Sequence, residues 1–248
     1  SWYRKHFTLP EEWSRDGGET YVRFEGSFHH STVFLNGEYV MQHESGYTPF
    51  TVRLDNHTKI RFGKQNSGNV LAIRTDASFG SGHWYEGGGL YRDVTLVHVP
   101  KVHVVFDGLF VPTNQSTDDV IAPRVEIEGV SSGVVVQFSL LDDSNTVITS
   151  NTSSELNLTS GNTTIFNDLT LISNIINPWS IQTPYLYTIR DDVFSNKIDI
   201  DTVEARVGFR TVAFDGESGM RLNGHDVKLR GIYFLPRNAT THTHNFHI

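Results

Sequence analysis

The chain has 248 residues, room for one large domain or two ordinary ones, and its 38% hydrophobic and 12% aromatic content rules out a disordered composition. With 28 acids against 20 bases the net charge is −8, which repels phosphate backbones and argues against a nucleic-acid partner. No apolar run reaches the roughly 18 residues of a membrane helix, so no membrane partner is expected, and the absence of cysteine removes any disulfide framework.

In chain order, short β-branched and aromatic runs alternate with Gly, Asn, Asp and Ser clusters, which predicts strands joined by tight turns. Val33-Phe34-Leu35-Asn36-Gly37-Glu38-Tyr39-Val40 predicts a hairpin, because both central positions of such a turn need positive φ. Val70 to Arg74 reads as a strand with Asp76 just past its end. Gly87-Gly88-Gly89 is expected to turn the backbone before Leu90; no helix bearing Lys and Ser/Thr follows, so it is no phosphate cradle. Arg92 and Asp93 are expected to hold a loop by an ion pair.

Val94 to Val99 reads as a strand ended by Pro100, which cannot continue a ladder. Beyond it the texture changes to Ser, Thr, Asn, Val and Ile. Val125 and Ile127 alternate with charges, and Val134, Val136, Phe138 and Leu140 share a face opposite Gln137 and Ser139, the pattern of half-buried sandwich strands. A second seam falls near Gly208-Phe209-Arg210, and Met220 to Val227 predicts another Asn-Gly hairpin around Asn223-Gly224. No 3.6-residue apolar period long enough for a helix occurs. The fold class is therefore all-β, with a sandwich at 1–99, a smaller immunoglobulin-like sandwich at 100–210 and a further segment at 211–248.

Several residues could carry chemistry. The adjacent acids Glu11/Glu12, Asp118/Asp119, Asp142/Asp143 and Asp191/Asp192 all read as solvated turn pairs, so no catalytic pair is expected. His242, His244 and His247 form a terminal H-x-H-x-x-H without carboxylate or cysteine, so no metal site and no cofactor are expected. Six Asn-x-Ser/Thr sequons, at Asn56, Asn114, Asn151, Asn157, Asn162 and Asn238, lean towards a secreted or extracellular protein, with polar loops as the plain alternative; no signal peptide is legible at Ser1.

The order of several strings resembles family 2 glycoside hydrolases of the β-galactosidase and β-glucuronidase type. The strings are Trp2 to Pro10, Phe24-Glu25-Gly26, Val33 to Gly37, Gly46-Tyr47-Thr48-Pro49-Phe50, Asn69 to Arg74 and, most specific, Trp84 to Val94. Asn177-Pro178-Trp179-Ser180, Pro184-Tyr185-Leu186-Tyr187, Gly208-Phe209-Arg210, Leu222-Asn223-Gly224 and Lys228 to Gly231 continue the series.

The resemblance implies a jelly-roll sugar-binding sandwich, an immunoglobulin-like sandwich and the beginning of a TIM barrel. It also implies hydrolysis of β-glycosides, here terminal β-galactosides, with retention, by two carboxyl groups roughly 5 Å apart. The chain is expected to stop before those glutamates and to be inactive alone, with a carbohydrate substrate only in a full-length enzyme. At the position before Gly89 where family members carry a sugar- or cation-contacting Asp, this sequence has His83, which suits a hydroxyl better than sodium. Asp76 is the second expected substrate contact, ahead of Trp84, Tyr85 and Glu86. A stand-alone carbohydrate-binding protein is the alternative.

Overall fold

A computed structural model describes residues 1–63, 68–78, 87–113, 120–159, 161, 163–170, 176–217 and 219–231. Among these the only helix is the single 3₁₀ turn Glu12–Ser14, and the rest of the regular structure is strand, as the alternation predicts. No described helix is long and apolar enough to cross a membrane. The chain forms two compact units, one built on Ser1–His98 and the other on Val99–Arg230.

The first unit is a sandwich of antiparallel sheets. One sheet runs in the order Trp2–Phe7, Asn69–Arg74, Ser31–Leu35, Glu38–His43; the other runs Phe50–Arg53, Glu19–Phe24, Val94–Val99. Its core is made by every second residue: Val22 and Phe24, Val33 and Leu35, Phe50 and Val52, Leu71 and Ile73 are buried while their neighbours face outward. Phe24 and Phe50 stack with ring centroids 4.7 Å apart.

The Asn36-Gly37 turn has φ of 49° and 85°, as the hairpin prediction requires. Asn36 also fixes sheet register. Its Oδ1 accepts the Val70 N–H at 2.8 Å and its Nδ2 donates to the carbonyl of Lys59 at 2.7 Å. Buried Asn69 answers it, accepting from Asn36 Nδ2 and bonding both the N–H and the carbonyl of Arg61. Every polar atom of that buried carboxamide thus has work to do.

The second unit packs two sheets around one core. Val147–Thr152, Ser131–Leu141, Tyr187–Ser195 and Ile198–Val207 form one, with Leu156–Leu158 attached to Ser131–Leu141. His103–Phe110, Arg124–Glu128 and Thr163–Phe166 form the other. Val125, Ile127, Val134, Val136, Phe138 and Leu140 are all fully buried, on the faces their alternation assigns. A three-stranded meander, Val212–Asp215, Gly219–Leu222 and His225–Val227, follows. Its turn residues Asn223 and Gly224 take φ of 50° and 79°.

Two expectations need correction. Asp191 and Asp192 do not sit in a turn: both lie inside the strand Tyr187–Ser195, and Asp191 is fully buried, opposite Phe138 and Val203. The strand alternates Tyr187, Ile189, Asp191, Val193 inward, so the backbone carries the carboxyl into the core with its apolar neighbours. Arg92 and Asp93 form no ion pair; the Arg92 guanidinium lies over the Tyr91 ring, 5.9 Å from its centroid, while the Asp93 carbonyl accepts the Glu25 N–H.

Candidate functional site

One end of the first sandwich carries Asp76, the substrate candidate that lies among the described residues. Asp76 follows the strand Asn69–Arg74, and its N–H donates to the carbonyl of His29 at 2.9 Å, tying the segment after that strand to residues 25–30. Its carboxylate accepts from the Arg74 guanidinium at 2.5 Å and from both the hydroxyl and the N–H of Ser78. The Ser78 hydroxyl and amide, followed by the Arg74 cation, hold the Asp76 carboxyl below the usual carboxylate range. It is an acceptor at neutral pH and cannot serve there as a proton donor. His83, Trp84, Tyr85 and Glu86 lie outside the described residues, as do Asp118/Asp119 and the terminal histidines.

Around Asp76 the neighbouring segments converge. Ser27–Phe28 pairs with Gly89–Leu90, and the Tyr91 N–H donates to the carbonyl of Gly26. The Tyr91 hydroxyl donates to the carbonyl of Gly46 at 2.6 Å. The Phe28 ring meets His29 and Tyr47 edge-on at 4.7 and 5.4 Å. Tyr47 and Tyr91 remain exposed, at 75% and 51% of their surface. The glycine run is here for close approach: a Cβ on Gly88 would come within 2.8 Å of the Ala77 Cβ, and one on Gly89 would strike the Tyr3 hydroxyl.

Beneath the exposed rim is a buried polar layer. Ser27 and Ser31 join hydroxyls at 2.6 Å, and His29 Nε2 and Thr75 Oγ1 are buried with no hydrogen-bond partner among the described residues. His30 bonds Glu44 at 2.8 Å through Nε2. Sequence reading singled out Asp76 and passed over Tyr47, Tyr91 and the His29-His30 pair. Two of the strings used for the resemblance contain those tyrosines, but nothing local says that they share a rim.

The chemistry available here is recognition. The rim presents tyrosine faces, hydroxyls and an ionised carboxylate, all suited to sugar hydroxyls. Its carboxylates are committed: Asp76 to Arg74 and Ser78, Glu44 to His30 and Gln42. Among the described residues no group of three or more His, Asp or Glu is arranged to hold a metal ion.

The strings in the second unit turn out to be packing devices. Trp179 donates its N–H to the carbonyl of Phe209 at 2.9 Å and receives Asn223 Nδ2 on its own carbonyl at 3.0 Å. Arg210 lies 4.9 Å over the indole, and Gly208 passes so close that a Cβ would come within 2.8 Å of it. Tyr187 is buried, accepts the Asn177 N–H at 2.8 Å and packs against Tyr185 and Phe209.

Residues 1–100 match the description "Glycosyl hydrolases family 2, sugar binding domain" and residues 104–210 match "Glycosyl hydrolases family 2". A β-galactosidase from Bacteroides ovatus is 30% identical over 93% of this chain, which covers 27% of that protein. A β-glucuronidase from Formosa agariphila is 26% identical over 96% of this chain and 26% of its own length. Among solved structures, a glycosyl hydrolase family 2 member from Bacteroides cellulosilyticus superposes with a TM-score of 0.81 at 28% identity, over 93% of this chain and 31% of that one. A Bacteroides uniformis β-glucuronidase gives 0.79 at 26% identity, over 93% and 29%. The chain thus spans about a quarter to a third of the length of these relatives. It belongs to glycoside hydrolase family 2.

Proposed function

We propose that residues 1–248 are the non-catalytic front portion of a retaining β-galactosidase, in which the first sandwich shapes the substrate rim. The two carboxyl groups that cleave the terminal β-galactoside are supplied by polypeptide outside these residues; residues 211–248 lead into it. Asp76 accepts hydrogen bonds from sugar hydroxyls, and His83 contributes to the same rim. The observation that carries this reading is the state of the rim carboxylates, each ionised or paired, beside relatives that share this front portion and are three to four times as long. A retaining glycosidase needs two facing carboxyl groups roughly 5 Å apart, whereas the described rim carboxylates are each held by their own partners.

The test is turnover of a nitrophenyl β-galactoside. Residues 1–248 alone should show none, and the same segment within a polypeptide of the relatives' full length should show it. There, Asp76→Ala should raise KM by roughly three- to tenfold with kcat little changed, as expected for lost ground-state binding. Turnover by residues 1–248 alone, or an unaltered KM, overturns the proposal. Because β-glucuronidases stand among the relatives, the nitrophenyl β-glucuronide is assayed in parallel, and a preference for it would replace the galactoside assignment.

A further inference from the structure

The outer face of the four-stranded sheet in the first unit carries a feature that the rim does not use. Arg4, Ala72, Phe34 and Tyr39 stand opposite one another on successive strands, one row across the whole sheet. Trp2 lies beside this row, its ring centroid 5.6 Å from that of Phe34, and Phe34 meets Tyr39 edge-on at 6.2 Å. Trp2 and Tyr39 are 63% and 60% exposed, high values for side chains whose neighbours could have covered them.

Small residues hollow out this face. Ala72 in the middle of the row and Gly37 in the hairpin turn leave a groove of about 440 Å³ walled by Trp2, Phe34, Arg4 and Arg61. That volume lies within the roughly 300–1,000 Å³ typical of small-ligand sites. The Arg61 guanidinium is anchored by donating to the carbonyl of Gly68 at 3.1 Å. Arg4 is exposed, and its side chain makes no hydrogen bond or ion pair among the described residues. No acidic side chain lines the groove, although the chain carries eight more acids than bases.

Flat aromatic walls suit the apolar face of a pyranose ring, and a free guanidinium fork suits a carboxylate. We propose that this groove binds a hexuronate unit of an acidic oligosaccharide, its ring against Trp2 and Phe34 and its carboxylate on Arg4. The charge complementarity selects an anionic sugar over a neutral one. The assignment is independent of the substrate reading above: a chain can bind uronates on this face whichever glycoside its family relatives cleave.

The probe is trigalacturonate, with maltotriose as the neutral control, titrated calorimetrically into residues 1–248 at low and high salt. Saturable binding of trigalacturonate is expected, weakened by salt and tighter than maltotriose by about tenfold. Trp2→Ala should weaken both sugars by about tenfold, and Arg4→Gln should erase the preference between them while the circular dichroism spectrum and Tm stay unchanged. The proposal is overturned if trigalacturonate fails to bind, if the two sugars bind equally, or if Trp2→Ala changes nothing. A concentration-dependent dimer that Trp2→Ala dissolves, with no sugar bound, overturns it in favour of a protein contact.

Discussion

Asp191 offers the sharpest test of the structure because its burial fixes both the sign and the size of an effect. Its carboxyl sits in the core of the second unit among Phe138, Ile189 and Val193, and neither oxygen has a hydrogen-bond partner among the described residues. Burial, reinforced by the negative charges of Asp192 and Asp201, pushes it from the ordinary 3.8 up to about 8. Those two neighbours are occupied elsewhere, Asp192 with the Thr202 hydroxyl and Asp201 with the Val104 N–H. Between these two values the folded chain keeps a proton that the unfolded chain has released. Stability contributed by this group is therefore full below about pH 4 and declines as pH rises to about 8, where it levels off.

At about 1.4 kcal/mol per pH unit, the loss across that window is on the order of 5 kcal/mol, comparable with the whole stability of many domains. Asp191→Asn removes the titration while keeping the shape. The variant should match the parent near pH 4 and exceed it progressively towards pH 8, by several kcal/mol at most. Hydrogen exchange read by mass spectrometry on residues 131–141 and 187–195, in urea between pH 4.5 and 9, isolates this unit from the other. Corrected for the intrinsic pH dependence of exchange, the two stability curves should diverge as pH rises. Parallel curves would refute the reasoning, because they would mean that the carboxyl is charged or hydrated inside the fold.

Other consequences are simpler to measure. Gly208→Ala drives a methyl group into the Trp179 indole, which its backbone bonds to Phe209 and Asn223 hold in place; a loss of about 1–3 kcal/mol should appear in urea denaturation of the second unit. Asn69→Ala strands the N–H and carbonyl of Arg61 and unties Asn36, so a loss of about 2–3 kcal/mol is expected in the first unit, read as a lowered urea midpoint. Val136→Ala opens a cavity in a fully buried position and should cost about 1–3 kcal/mol, whereas Val147→Ala, at a half-exposed position of a neighbouring strand, should stay within about 0.5 kcal/mol.

Most of the fold could be read from local pattern because sheet burial has a period of two and a tight turn has a fixed chemistry. Val134 to Leu140 and Val125 to Ile127 announce their inward faces, and Asn36-Gly37 and Asn223-Gly224 announce their turns. Asp191 was misread for an instructive reason. An adjacent pair of acids looks like a solvated turn, yet Tyr187, Ile189 and Val193 set a period that places position 191 inward whatever side chain it bears. The rim was legible only in part. Asp76 stands at the end of a recognisable strand, but its bond to His29 spans 47 positions and the Tyr91–Gly46 bond spans 45, and such closures leave no mark on short stretches of sequence.

The same distinction explains how this sequence declares its family. The strings that carry the resemblance are sites where two pieces of backbone must come close or a buried polar group must be matched. Gly208 admits the Trp179 indole, Asn223 meets the Trp179 carbonyl, Asn36 meets Val70, and Gly88 admits Ala77. Each of these positions admits few residue types. A sugar contact is less demanding, because hydroxyls accept and donate to many side chains. The identity of the scaffold can accordingly be read from residues 2 to 231.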